Sequence, residues 1–198
     1  RSIEVAGLKA GMPMPPLALQ DEVSLSLSLH IGAQTKRDLE AEGKTMPDHP
    51  GNAVLTVVGE QQGRIGKKAG KGFYDYDESG GKRIWPGLAE HYPLKSQQPS
   101  AHDLKQRILY VQAVEGARAM EEGVLLAPAD GDIGSILGVG FPAYTGGPFC
   151  FIDGVGLPQF VAEADRLAEQ FGEQLRPPQL LRDMAAKGQT FYGKTARA

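Results

Sequence analysis

Residues 138–143 read Gly-Val-Gly-Phe-Pro-Ala, at the head of the longer run GVGFPAYTGGPFCFIDGVG (138–156). As letters they fit G-x-G-x-x-G/A. That pattern cradles a dinucleotide pyrophosphate when it follows a buried strand and opens a helix. The flanks argue against such a loop here. The preceding DGDIGSIL (130–137) carries two glycines and two aspartates and makes a poor buried strand. Pro142 then interrupts the run. The stretch is expected to be a structural turn.

An internal repeat supports that reading, because similarity at a distance changes what a motif means. GMPMPPLALQDEVSL (11–25) lies beside GFPAYTGGPFCFIDGVGL (140–157). Gly11 and Pro13 match Gly140 and Pro142. After a short insertion, Pro16, Asp21, Val23 and Leu25 match Pro148, Asp153, Val155 and Leu157. KGFY (71–74) has a counterpart in Lys187, Gly188, Phe191 and Tyr192. The first copy has lost the G-x-G altogether, and it lacks an opening helix.

The bulk numbers set outer bounds. The chain has 198 residues, a formal net charge of −3 and a single cysteine, Cys150. The charge gives no reason to expect nucleic acid as a partner. One cysteine excludes an internal disulfide and suits a reducing compartment, so a cytoplasmic location is expected. No apolar run approaches the roughly 20 residues that span a bilayer. The sequence opens on Arg1 and enters patterned sequence at once, so a longer protein is expected upstream.

Three segments are expected to be organised as residues 1–85, a first helical repeat incomplete at its start; 86–101, a Pro-rich linker; and 102–198, a second helical repeat. VSLSLSLHI (23–31) alternates as a strand would, yet Val23, Leu27 and Ile31 also fit helical spacing. Its repeat partner is plainly helical, so residues 17–41 are assigned mainly to helix. KTMPDHPGN (44–52) reads as loop, and 53–60 has helical spacing. In the second repeat, Leu104, Ile108 and Val111 head a long helix that Gly123 can end. Leu157, Phe160, Ala164, Leu167 and Phe171 form an amphipathic helix stopped by Gly172. Pro177 and Pro178 can start a last helix ending at Gly188.

GMPMPPLALQDEVSL, GRIGKKAGKGFYDY, EGARAMEEGV and DIGSILGVGFPAYTGGPFCFIDGVG occur in that order. Together they resemble the C-terminal helical region of 3-hydroxyacyl-CoA dehydrogenases. The tandem copy is most similar to the multifunctional fatty-acid oxidation proteins. The resemblance implies an all-α, duplicated C-terminal dehydrogenase domain of the 6-phosphogluconate dehydrogenase C-terminal-like type. It implies oxidation of an L-3-hydroxyacyl-CoA with NAD. The cofactor and the catalytic histidine–glutamate pair would belong to an upstream Rossmann domain, so no catalytic residue is assigned here. It further implies an acyl-CoA substrate, a hydratase domain upstream, homodimer formation and a possible thiolase partner. A non-catalytic assembly module and a single-function dehydrogenase remain the alternatives.

Candidate contacts are few. Arg64, Lys67, Lys68 and Lys71 crowd a glycine-rich loop that suits a phosphate-bearing ligand. Within the family's G-K-K-x-G-x-G-F-Y pattern, the cofactor-approaching lysine falls on Lys68. Phe73 and Tyr74 are expected to be core anchors. Pro13, Met14 and Pro15 fall in a turn resembling G-x-P-M-G-P, which the family places near substrate. Pro15 stands where that pattern has glycine, which fixes φ and removes a donor. Asp21 and Asp153 are expected to cap helix starts, Cys150 to be a small buried group, and Trp85–Leu88 to be a hydrophobic anchor. His30, His49, His91 and His102 suit ordinary surface roles, and no Cys/His cluster offers a metal site.

Overall fold

A computed structural model describes residues 1–47 and 49–193. Along the chain run α1 (Ser2–Ala10), α2 (Pro16–Val23), α3 (Leu25–Ala41) and α4 (Pro50–Leu55), the last continuing as a π-helix over Thr56–Gln61. A 3-10 turn (Lys67–Ala69) precedes a hairpin of β1 (Tyr74–Tyr76) and β2 (Lys82–Ile84), then α5 (Gly87–His91). There follow α6 (Ala101–Glu121), α7 (Pro128–Val139), α8 (Pro148–Val155), α9 (Leu157–Phe171) and α10 (Gln179–Ala186). The described residues are all-α apart from this small antiparallel hairpin, registered Tyr74↔Ile84 and Tyr76↔Lys82.

The chain divides into two compact units, Met14–Gln98 with Arg1, and Ser2–Pro13 with Pro99–Ala198. Residues 2–13, expected in the first repeat, therefore cluster with the second unit. The Pro-rich 86–98 goes with the first, because Trp85 and Leu88 pack on its core. The final five residues of 102–198 lie outside the described part.

In the first unit, Leu25 and Val58 are fully buried and pack with Ala18, Phe73 and Tyr74. The alternation of SLSLSLHI is resolved as helix. Leu25 and Leu29 share one face at i, i+4, and both approach Gly59. Leu27 and Ile31 share the opposite face and are exposed. The strand-like pattern therefore records an apolar outer face. The expected loop 44–52 is shorter, since Pro50 takes the first position of α4 and the His49 Nδ1 accepts the Gly51 N–H at 3.1 Å.

The second unit centres on Tyr110 and Phe160, stacked at 4.4 Å, with Phe151 edge-on to both. Helix α1 packs on α6, and Ala10 joins this core. Arg118 of α6 donates to the carbonyls of Gln174 and Arg176, closing the chain that follows α9. Asp165 on α9 accepts from Arg176 at 3.1 Å and from Arg182 at 2.6 Å, tying α10 down.

The repeat is visible in one backbone constraint. Ser24 joins α2 to α3 at φ 86°, ψ 129°, and Gly156 joins α8 to α9 at φ 90°, ψ 125°. Ser24 is the one non-glycine at positive φ among the described residues. Serine there costs about 1–3 kcal/mol of backbone strain. Ser24→Gly is expected to raise the urea stability of the first unit by about 1 kcal/mol, after loss of the Ser24–Ser26 hydroxyl bond. A variant less stable than the native chain would contradict this.

Asp165 is held below the ordinary carboxylate range, first by the hydrogen bond from Arg182 and then by Arg176. The folded state favours its ionised form. That stabilisation is present above roughly pH 4 and is lost as the pH falls below it. The stability deficit of Asp165→Asn should accordingly shrink between pH 7 and pH 3, as read by urea unfolding at each pH.

Candidate functional site

The basic loop of the first unit is built around a buried carboxylate. Asp21 is 1% exposed and lies in the last turn of α2. It accepts the Phe73 N–H at 2.7 Å, the Tyr74 N–H at 2.9 Å and the Tyr76 hydroxyl at 2.9 Å. Burial, and then the hydrogen bond to Asp21, push the Tyr76 hydroxyl well above the usual phenol range, so it stays a donor. The close approach needs glycine on the loop. A Cβ on Gly72 would collide with the Asp21 carboxylate, and one on Gly66 would stand 2.6 Å from the Asp21 carbonyl oxygen.

The expected role of Asp21 and Asp153 as caps of helix starts is not met. Both lie in the last turn of a helix, and both hold the Phe-Tyr backbone of a distant segment. Asp153 accepts the Phe191 and Tyr192 N–H groups, each at 3.0 Å. The carboxylate at a helix start is Asp132, which accepts Phe149 N–H at 2.7 Å and Cys150 N–H at 3.2 Å at the head of α8. Asp132 also accepts the Tyr192 hydroxyl at 2.7 Å. In the second unit, two carboxylates thus divide what Asp21 does alone.

The four cations separate into different roles. Arg64 is buried, with Nε on the Gly72 carbonyl at 2.7 Å and Nη2 on Tyr74 O at 3.0 Å and on Asp75 at 2.6 Å. Its guanidinium lies 4.5 Å over the Trp85 ring. It is the post of the loop and is spent on it, so it drops out as a ligand contact. Lys67 pairs with Glu22. Lys68 and Lys71 remain exposed, and Lys68 forms no ion pair among the described residues. Phe73 and Tyr74 are core, as the sequence suggests.

Of the other expected contacts, Met14 is half-buried on the first unit's core, and Pro15 precedes α2 at φ −61°, ψ 145°. These two lie at the N-terminal end of α2 and Lys68 at its C-terminal end. An eight-residue helix is about 12 Å long, so the three side chains do not converge on one point. Pro13 belongs to the second unit, where its ring lies against Gly140.

Gly138 and Val139 end α7, and Gly140 follows in the left-handed conformation. The run is a helix C-terminus, the negative end of the helix dipole, and no strand precedes it. That is the wrong polarity for a pyrophosphate. The run 138–143 therefore does not fit the phosphates of NAD, and no hydride-transfer step is assigned to it. Cys150 is half-buried. Burial and Asp132 push its thiol up to about 11, which leaves it unreactive near neutral pH. His30 and His102 are exposed, His49 caps α4, and His91 lies 5.7 Å from the Trp85 ring.

Residues 2–76 match the family model described as 3-hydroxyacyl-CoA dehydrogenase, C-terminal domain. The stretch carries that domain. The fold of the chain is similar to 3-hydroxybutyryl-CoA dehydrogenase from Escherichia coli, with TM-score 0.63 and 19% identity over 94% of this chain and 55% of that one. It is also similar to the dehydrogenase part of multifunctional enzyme 1 from C. elegans, with TM-score 0.59 and 22% identity over 92% of this chain and 41% of that one. The chain thus spans about half the length of the solved structures it matches. At these identities the likeness concerns the fold, which is the helical C-terminal fold of 3-hydroxyacyl-CoA dehydrogenases.

Sequence reasoning missed Asp132. Its signal was the unexplained pair of aspartates in DGDIGSIL, which makes sense once one of them has a helix start to hold. Asp21→Ala removes three bonds to a buried charge and is expected to destabilise the first unit by about 3 kcal/mol. Asp153→Ala removes two partly exposed ones and should cost less. Equal losses in urea unfolding would show that the two carboxylates do not differ as described.

Proposed function

We propose that this chain is the C-terminal region of an NAD-dependent L-3-hydroxyacyl-CoA dehydrogenase that works in fatty-acid β-oxidation. The family match over residues 2–76 carries this reading. The likeness of nearly the whole chain to the helical parts of two longer dehydrogenases supports it. In this reading a Rossmann domain upstream holds NAD and supplies the general base, and these helices wall the acyl-CoA cleft. When bound, NAD takes the hydride from the 3-hydroxy carbon.

The residues of this chain bind and position. Lys68 is held outward by the Asp21–Arg64 scaffold and offers a cation to the cofactor. Pro13, Met14 and Pro15 line the approach to substrate. Pro15, with its fixed φ and no N–H, shapes that turn without donating to the ligand. The tandem repeat points to the multifunctional type, with a hydratase domain further upstream. Cytoplasmic location, pairing of subunits and a thiolase partner belong to the same reading.

The 198 residues alone should not reduce acetoacetyl-CoA with NADH, whereas the longer protein should. In the longer protein, Lys68→Glu is expected to raise KM for NAD about tenfold with kcat and oligomeric size retained. Turnover by the isolated chain would refute the reading. Dissociation of the oligomer with unchanged kinetics would favour a purely assembling role for the loop.

A further inference from the structure

Tyr76 ties together two parts of the first unit that are distant in sequence. Its hydroxyl donates to the Asp21 carboxylate at 2.9 Å, and its N–H donates to the Gly70 carbonyl at 3.0 Å. Gly70 stands in the left-handed conformation at φ 72° and ends the 3-10 turn that carries Lys68. Behind that turn, Gly66 and Lys71 exchange N–H···O bonds of 2.8 and 3.2 Å. Lys68 therefore sits on a closed loop, and Tyr76 grips one end of it.

The grip is itself fixed. Tyr76 ends β1, opposite Lys82 of β2. This hairpin is the one sheet among the described residues. The second unit shows a different arrangement. Its Phe191–Tyr192 pair follows α10 through a turn in which Gly188 N–H bonds Ala185 and Gln189 N–H bonds Met184. Tyr192 gives its hydroxyl to Asp132, while Asp153 holds its N–H. Among the described residues of that unit there is neither a hairpin nor a closed basic loop. The cation-bearing loop and the hairpin that pins its tyrosine occur together in one copy only.

We infer that Tyr76 is a positioning residue for Lys68. It clamps the 66–71 loop to α2 on one side and to the hairpin on the other, so the ammonium group is in place before a ligand arrives. A cation on a loose loop gives up part of its attraction to the cost of ordering the chain beneath it. Tyr76 acts only through the loop. The inference rests on the proposed reading of Lys68 as a cofactor contact.

Two measurements test it. In the 198-residue chain, amide hydrogen exchange is followed by mass in peptides covering 66–71. Tyr76→Phe keeps the ring and removes the hydroxyl, and should speed exchange there about fivefold while urea unfolding still reports a folded unit. Tyr92→Phe is the control. It removes a hydroxyl bond to the Ala53 carbonyl in the same unit and should leave the loop unchanged. In the longer protein, Tyr76→Phe should raise KM for NAD about threefold at unchanged kcat. In a Lys68→Ala background the same substitution should add nothing, because its effect passes through that lysine. Gly70→Ala strains the left-handed end of the loop without a clash and should reproduce both the faster exchange and the higher KM.

Unchanged exchange at 66–71 in Tyr76→Phe would overturn the inference. Equal loosening of the loop by Tyr92→Phe would do the same. So would effects of Tyr76→Phe and Lys68→Ala on KM that multiply independently, since a general loss of stability would produce them. If Lys68→Ala leaves KM unchanged while Tyr76→Phe still loosens the loop, the cofactor reading fails and the clamp stands.

Discussion

A carboxylate taken out of water must be surrounded by donors, or folding around it is unfavourable by several kcal/mol. Asp21 meets that requirement with two backbone N–H groups and one phenol hydroxyl, all from a segment some fifty residues later. The arrangement fixes where the Phe-Tyr segment enters the core. It also fixes the path of the chain from Gly66 to Gly72, because no side chain fits between that backbone and α2. Arg64 then fills the other side of the loop, its donors turned onto the carbonyls of Gly72 and Tyr74. The outward display of Lys68 follows from these inward commitments.

The second unit reaches the same end with its labour divided. Asp153 holds the backbone of Phe191 and Tyr192, while Asp132 holds the Tyr192 hydroxyl and the first N–H groups of α8. The two units share a left-handed joint between successive helices, made by Gly156 in one and by a strained Ser24 in the other. The first copy tolerates serine there, with the Leu25 N–H bonded to the Ile65 carbonyl at 2.9 Å.

Function is constrained by direction as much as by composition. The Gly-rich run that matches a nucleotide fingerprint lies at a helix C-terminus, where the free groups are carbonyls and the dipole repels phosphate. A dinucleotide needs the opposite end of a helix. That removes the run 138–143 as a dinucleotide site.

Most of the helical architecture was legible in the sequence, because its signals are local. Gly172 ends α9, prolines precede α10, and the Gly-Pro and Asp-Val-Leu matches reveal a duplicated unit without any coordinates. The alternating SLSLSLHI was ambiguous on its own, and the repeat decided it correctly. What only the tertiary structure decided was which long-range donors each charged group meets. Asp21 looked like a cap and proved to be a tether. Arg64 looked like a ligand contact and proved to be a post, and α1 joined the second unit rather than the first. Local spacing specifies helices and turns because their hydrogen bonds close within a few residues. The partner of a buried charge depends on segments brought together only by folding, and periodicity carries no record of them.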